Sequence, residues 1–137
     1  MTGNLIDWKE EYSVGIAEID KQHQKLIGII NELYHAVEQS KEKERIPFIL
    51  TELVSYAEYH FSTEEKHFEE SNFDGKEEHI KVHNSYREKI AQFLERYKKD
   101  ERLLSLEIMA FLKEWWLGHI RGMDRGYIDC FHKYGLF

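Results

Sequence analysis

HFSTEEKHFEESNFDGKEEHIKVH, residues 60–83, sets His60 four residues before Glu64 and His79 four before His83, on either side of a turn-forming run. Residues four apart on an α-helix differ in direction by about 40° and lie one turn above each other. Each pair can therefore grip one centre from one helix face. The run Ser71-Asn72-Phe73-Asp74-Gly75 between them is a turn by composition, so the segment reads as a helical hairpin whose two polar pairs sit at the same end.

On both sides of this hairpin, apolar periodicity is helical nearly everywhere. The first helix is expected at about 18–39, with Glu18 and Asp20 favouring its positive end and the seam Ile19, His23, Leu26, Ile30, Leu33, Val37. The second is expected at about 46–70, with Pro47 in its first turn, where the missing N–H has no intrahelical partner. The third is expected at about 76–99 with the seam His79, His83, Tyr86, Ile90, Phe93, Tyr97. The fourth follows at about 103–121 with the seam Leu104, Ile108, Leu112, Trp115, His119. An arm, 1–17, precedes them, and a tail, 122–137, follows once Gly122 and Gly126 break the pattern. Four amphipathic helices on short loops make an all-α fold, an up-down-up-down antiparallel four-helix bundle forming one domain over 1–137.

Composition restricts function. The 137 residues carry 19 Lys and Arg against 26 Asp and Glu, a net charge of −7 that repels nucleic-acid phosphate and anionic lipid. No apolar run approaches membrane-spanning length, and Asp7, Lys9, Glu10 and Glu11 stand where a secretory signal would need apolar residues, so a cytoplasmic location and no membrane insertion are expected. The single cysteine, Cys130, excludes an internal disulfide and a thiolate-rich metal site.

Polar residues interrupt each apolar seam near one end of the bundle: His23, then His60 with Glu64, then His79 with His83, then His119. Burying an unpaired imidazole or carboxylate costs about 2 kcal/mol or more, so such a layer implies mutual pairing or metal. Asp124 lies five residues past His119, about 140° away on an ideal helix, but a terminus bent at Gly122 can return it to the layer. Five imidazoles and two carboxylates exceed the four ligands of zinc and imply two metals, with the imidazoles shared three and two. The nitrogen–oxygen set without thiolate favours iron over manganese, zinc or copper. Only two ligands being anionic favours the ferrous pair, and hence reversible capture of dioxygen over substrate oxidation.

The residues that carry this reading also resemble the bacterial hemerythrins: Ser13-Val14-Gly15 with Ile19-Asp20-Lys21-Gln22-His23, the 60–65 and 79–83 motifs, and Trp115 through His119-Ile120 to Asp124. The resemblance implies two iron ions with a bridging oxo or hydroxo group, one held by His79, His83 and His119 and the other by His23 and His60, with Glu64 and Asp124 bridging. It implies dioxygen binding on the His23/His60 side, for storage, transport or delivery; a monomer is expected, with an oxygen-consuming enzyme as a partner if delivery is the role. Trp115, Trp116, Ile120 and Phe61 are expected to line the oxygen pocket. Two departures stand out: Trp116 occupies a position where the family commonly has Leu, and the turn before His79 lacks a common proline. The alternatives are a di-iron peroxidase, oxidase or nitric oxide reductase and an iron-storage or iron-sensing protein. His35, His67 and His132 are expected at the surface or in the tail, and Glu65, Glu69 and Glu70 on a solvated face.

Overall fold

The computed structural model describes residues 3–99 and 104–137. Its helices are α1 (Ala17–Glu38), α2 (Glu42–Ser71), α3 (Lys76–Lys98), α4 (Leu104–Glu114) and the short α5 (Ile128–Tyr134), and no strand occurs among the described residues. α1 packs against α2 and α4, α2 against α3, and α3 against α4, which closes a four-helix bundle with short connections. The expected start of the fourth helix at Leu103 lies outside the described residues.

The helix ends follow local chemistry. α2 stops where Asn72 takes a left-handed conformation (φ 53°), and the Phe73 N–H donates to the Phe68 carbonyl oxygen, a Schellman-like end that turns the chain into α3. α2 starts earlier than expected, at Glu42, so Pro47 sits at its sixth residue and not in its first turn. The carbonyl this deprives belongs to Lys43, on the exposed face, where water can replace the lost bond. Thr51 adds a local bond, its hydroxyl donating to the Pro47 carbonyl oxygen.

The arm is pinned rather than loose. Ile6 exchanges two bonds with the Asn31 side chain, its N–H donating to Oδ1 (3.0 Å) and its carbonyl accepting from Nδ2 (2.8 Å). The Asp20 carboxylate accepts from the Ser13 hydroxyl and the Val14 N–H, which seats the arm on the first turn of α1.

Two apolar clusters divide the interior. The larger includes Leu26, Ile30, Leu33, Leu50, Leu53, Ile90, Phe93, Leu104 and Ile108, which fill the end away from the polar layer, and extends through Phe61, Trp115, Trp116 and Ile120 up to it. The smaller joins Val14, Ile16, Ile19 and Phe68 to Tyr127 and Phe131. The tail expected after the break in the pattern thus carries a helix of its own, α5, which caps the other end of the bundle. The polar residues of the seams touch both clusters, His83 for example lying against Phe61 and Phe68.

Candidate metal centre

The fourth helix changes character where the site begins. α4 gives way at Trp115 to a π-helical segment, Trp115–Ile120, closed by the Arg121 N–H donating five residues back to the Trp116 carbonyl oxygen (3.0 Å). Such wide turns re-aim side chains and occur often at functional sites. The chain then breaks at Gly122, where a Cβ would lie 2.4 Å from the Gly118 carbonyl oxygen, so only glycine fits. A 3₁₀ segment, Met123–Tyr127, follows and carries Asp124 back into the bundle, fully buried. The bent terminus expected at Gly122 takes this form.

All seven polar seam residues meet. His79, His83 and His119 gather with Glu64 and Asp124 in one group, and His23 and His60 gather with the same two carboxylates in a second. Within each group the ligand atoms lie within 4.8 Å of one another. Asp124 Oδ1 stands 2.7 Å from His79 Nε2 and 2.9 Å from His119 Nε2, while its Oδ2 stands 3.0 Å from His23 Nε2. Glu64 Oε1 lies 3.2 Å from His60 Nε2 and 3.1 Å from His83 Nε2. Each carboxylate thus faces both histidine groups, and no member of the cluster is more than 5% exposed.

The donor atoms suit a cation. His60 Nε2, His83 Nε2 and His119 Nε2 face carboxylate oxygens at 2.9–3.2 Å, yet these nitrogens and both Glu64 oxygens form no well-directed hydrogen bond among the described residues, although native interiors rarely leave such atoms unsatisfied. The outer ring nitrogens of two histidines are held instead. His60 Nδ1 donates to Gln22 Oε1 (2.6 Å) and His83 Nδ1 donates to Glu65 Oε2 (2.8 Å). That assignment leaves each Nε2 as a lone pair directed inward, the usual outer arrangement around a metal-bound imidazole. Gln22 is itself fixed by donating to the Thr63 hydroxyl.

The electrostatics describe a site awaiting positive charge. Burial disfavours protonation of His60, but Glu64 and Asp124 outweigh it and raise its pKa to about 9. Burial and mutual repulsion push the two carboxylates up, and the surrounding imidazoles nevertheless hold both below the usual carboxylate range. His119 goes the other way, burial lowering its pKa against the pull of Asp124. Burial also keeps the phenols of Tyr56, Tyr86 and Tyr127 protonated, and Tyr127 is further disfavoured from ionising by Glu64 and Asp124.

Aromatic rings wall the cluster on several sides. Phe61 stacks on His83 (ring centroids 3.9 Å apart) and reaches His60 at 5.9 Å, while Trp115 stacks on His119 at 4.0 Å. Those two rings therefore lean chiefly on the three-histidine group. Trp116 stands edge-on to His23 at 6.3 Å, on the two-histidine side, and Ile120 is buried in the apolar cluster that adjoins the site.

Several participants escaped the sequence reading. Glu65 is not on a wholly solvated face, since it accepts from His83, and the hairpin supplies only a coarse signal for it: Phe73 at the middle of the turn brings position 65 opposite about 81, within a turn of His83. Tyr56 stacks on His60 at 5.1 Å, one turn before it on α2. His67 is nearly buried against Phe131 and is not a surface residue, and the His132 ring donates to the Gly15 carbonyl oxygen, tying tail to arm.

A buried imidazole–carboxylate cluster at one end of an antiparallel helical bundle defines a metal-binding bundle protein. Comparison with known proteins narrows the class. The hemerythrin HHE cation binding domain matches residues 14–131, and the chain belongs to the hemerythrin family. It is 32% identical over 123 residues to the bacteriohemerythrin of Pseudomonas paraeruginosa, covering 90% of this chain and 79% of that one. It is also 32% identical over 126 residues to the bacteriohemerythrin of Clostridium acetobutylicum (89% and 98%) and 28% identical over 120 residues to the myohemerythrin of Riftia pachyptila (88% of each). The fold matches the crystal structure of a hemerythrin bearing a leucine-to-tyrosine substitution, with a TM-score of 0.80 at 20% identity over 94% of this chain and 98% of that one. No helix among the described residues is long and apolar enough to cross a membrane.

Proposed function

We propose that the chain binds dioxygen reversibly at a non-haem di-iron centre, for storage, transport or delivery. One observation carries the reading: two groups of buried histidines, three and two in number, share the same two carboxylates. His79, His83 and His119 would hold one iron, His23 and His60 the other, and Glu64 and Asp124 would bridge them. When bound, a ferrous pair with a bridging oxo or hydroxo group supplies the two electrons and the open coordination position that dioxygen capture needs.

The chain's own residues make that capture reversible. The uneven division of imidazoles keeps room on the His23/His60 side. Gln22 and Glu65 hold the outer nitrogens of His60 and His83, so the inner lone pairs stay aimed as charge on the centre changes. Phe61, Trp115, Trp116 and Ile120 keep water and stray protons from the layer, and the neutral phenols of Tyr56, Tyr86 and Tyr127 add no anion that would favour oxidised metal. With only two anionic ligands, the set favours the reduced state and binding over turnover. We place the protein in the cytoplasm as a monomer serving an oxygen-consuming enzyme; the single free cysteine suits a reducing compartment.

Anaerobic titration of the ferrous protein with dioxygen tests the reading. The expected result is a coloured adduct at one oxygen per two irons that bleaches on sparging with inert gas. Irreversible oxidation, or turnover with a reductant, would overturn it in favour of an enzyme.

A further inference from the structure

Beside the two-histidine group a surface groove of about 370 Å³ runs between the arm and the end of the fourth helix. Its volume falls within the range of small-molecule sites. Three cations line it, Lys9, Lys113 and Arg121, against one acid, Asp7, on a chain whose net charge is −7. All three are exposed, and none forms an ion pair among the described residues. The groove's floor is aromatic. Arg121 sits over the Tyr12 ring at 4.7 Å, Tyr12 meets Trp116 edge to face at 5.3 Å, and Trp116 meets His23 at 6.3 Å. Surface and metal layer are thus joined by two rings in contact, through the residue at which this chain departs from the hemerythrin pattern.

We propose that this groove receives a small, planar, anionic electron carrier of the flavin mononucleotide class, and that Tyr12 and Trp116 conduct its electrons to the His23 side of the centre. The three cations supply the charge complement to a phosphate, and Leu5, Ile6 and Leu117 with the edge of Tyr12 supply an apolar border for a planar ring system, Trp116 lying buried beneath them. The inference rests on the di-iron reading. A site that binds oxygen reversibly is lost whenever its irons oxidise, and a resident entry for electrons restores it. The carrier's hydroquinone is oxidised to the quinone, giving one electron to each of two ferric ions and its two protons to solvent. No bond forms between the carrier and either ring.

The test uses the iron-loaded full chain, air-oxidised and verified at two irons per chain. Oxidised flavin mononucleotide is titrated by fluorescence, and reduction by its hydroquinone is followed by stopped flow beside that by riboflavin hydroquinone, which lacks the phosphate. Combined Lys9→Glu, Lys113→Glu and Arg121→Glu substitution is expected to weaken mononucleotide binding and slow its reduction of the protein by about tenfold or more, with riboflavin rates changed by less than about twofold. Trp116→Leu is expected to slow reduction by both donors. Lys113→Glu alone, on an exposed helix face, serves if the triple variant does not load iron, with the same direction expected. Unchanged binding in the charge-reversed protein, or unchanged rates without Trp116, overturns the proposal. Reversible oxygen binding is measured separately on the same protein. Its presence with groove-independent reduction overturns this inference alone; its absence with groove-dependent reduction overturns the oxygen-binding reading and leaves the electron entry standing.

Discussion

Asp124→Asn removes a charge at the point where the two histidine groups meet while nearly preserving shape. The carboxylate approaches His79 and His119 through Oδ1, at 2.7 and 2.9 Å, and His23 and His60 through Oδ2, at 3.0 and 3.8 Å. An amide keeps one oxygen and turns the other into a donor that cannot ligate, so contact with one of these pairs is lost whichever way it is oriented. Removing one partner of a buried charged pair costs about 3–5 kcal/mol, and the lower end applies here because Glu64 remains within the same cluster. At about 4 °C per kcal/mol for a domain of this size, the metal-free protein should melt about 12 °C lower. Iron content should fall from two per chain to one or fewer. Calorimetry of the metal-free chain and iron analysis of the loaded one measure both. A variant that keeps two irons and melts within about 2 °C of the parent would refute the reasoning.

His79→Ala should leave two imidazoles where three are needed, lowering iron content by one and abolishing oxygen uptake; two irons with normal uptake would count against the assignment. Trp116→Leu thins the wall beside His23 and should change the oxygen off-rate or the autoxidation rate with iron content still at two, as read by stopped flow; unchanged kinetics would remove Trp116 from the pocket. In the metal-free chain the raised pKa of His60 contributes stability that is full below its ordinary value of 6.5 and is lost as pH rises through about 9. The depressed Glu64 and Asp124 contribute stability present above their ordinary values of 4.5 and 3.8 and lost as pH falls. Because iron must displace the His60 proton, loading should strengthen from pH 6.5 to 9 with proton release, and pH-independent melting and loading across that window would contradict the electrostatics.

Much of the site was legible because helical period and metal chemistry act through the same faces. His60 and Glu64, like His79 and His83, declare one helix face by their spacing, and the alternation of chain direction brings all four to the end occupied by His23 and His119. Asp124 was only half legible. Its five-residue offset from His119 fits no straight α-helix, and the π-helical segment and the Gly122 break that resolve it depend on tertiary closure rather than on local propensity. Gln22 and Glu65 were hidden for another reason: each acts across a helix pair, on His60 and His83, and as a surface-type residue it gives no periodic signal. The tail's role was likewise set by packing, since Tyr127 and Phe131 acquire meaning only against Phe68 and Ile19. Pro47 shows the limit of a local rule, since a proline expected in the first turn is tolerated a turn later, where the carbonyl it deprives belongs to the exposed Lys43.

The most direct measurement is the crystal structure of the iron-loaded chain with anomalous scattering recorded on either side of the iron edge. Two anomalous peaks are predicted inside the bundle, one bounded by His79, His83 and His119 and one by His23 and His60, with a Glu64 and an Asp124 oxygen on each. A single peak, or iron bound outside this layer, would contradict the account.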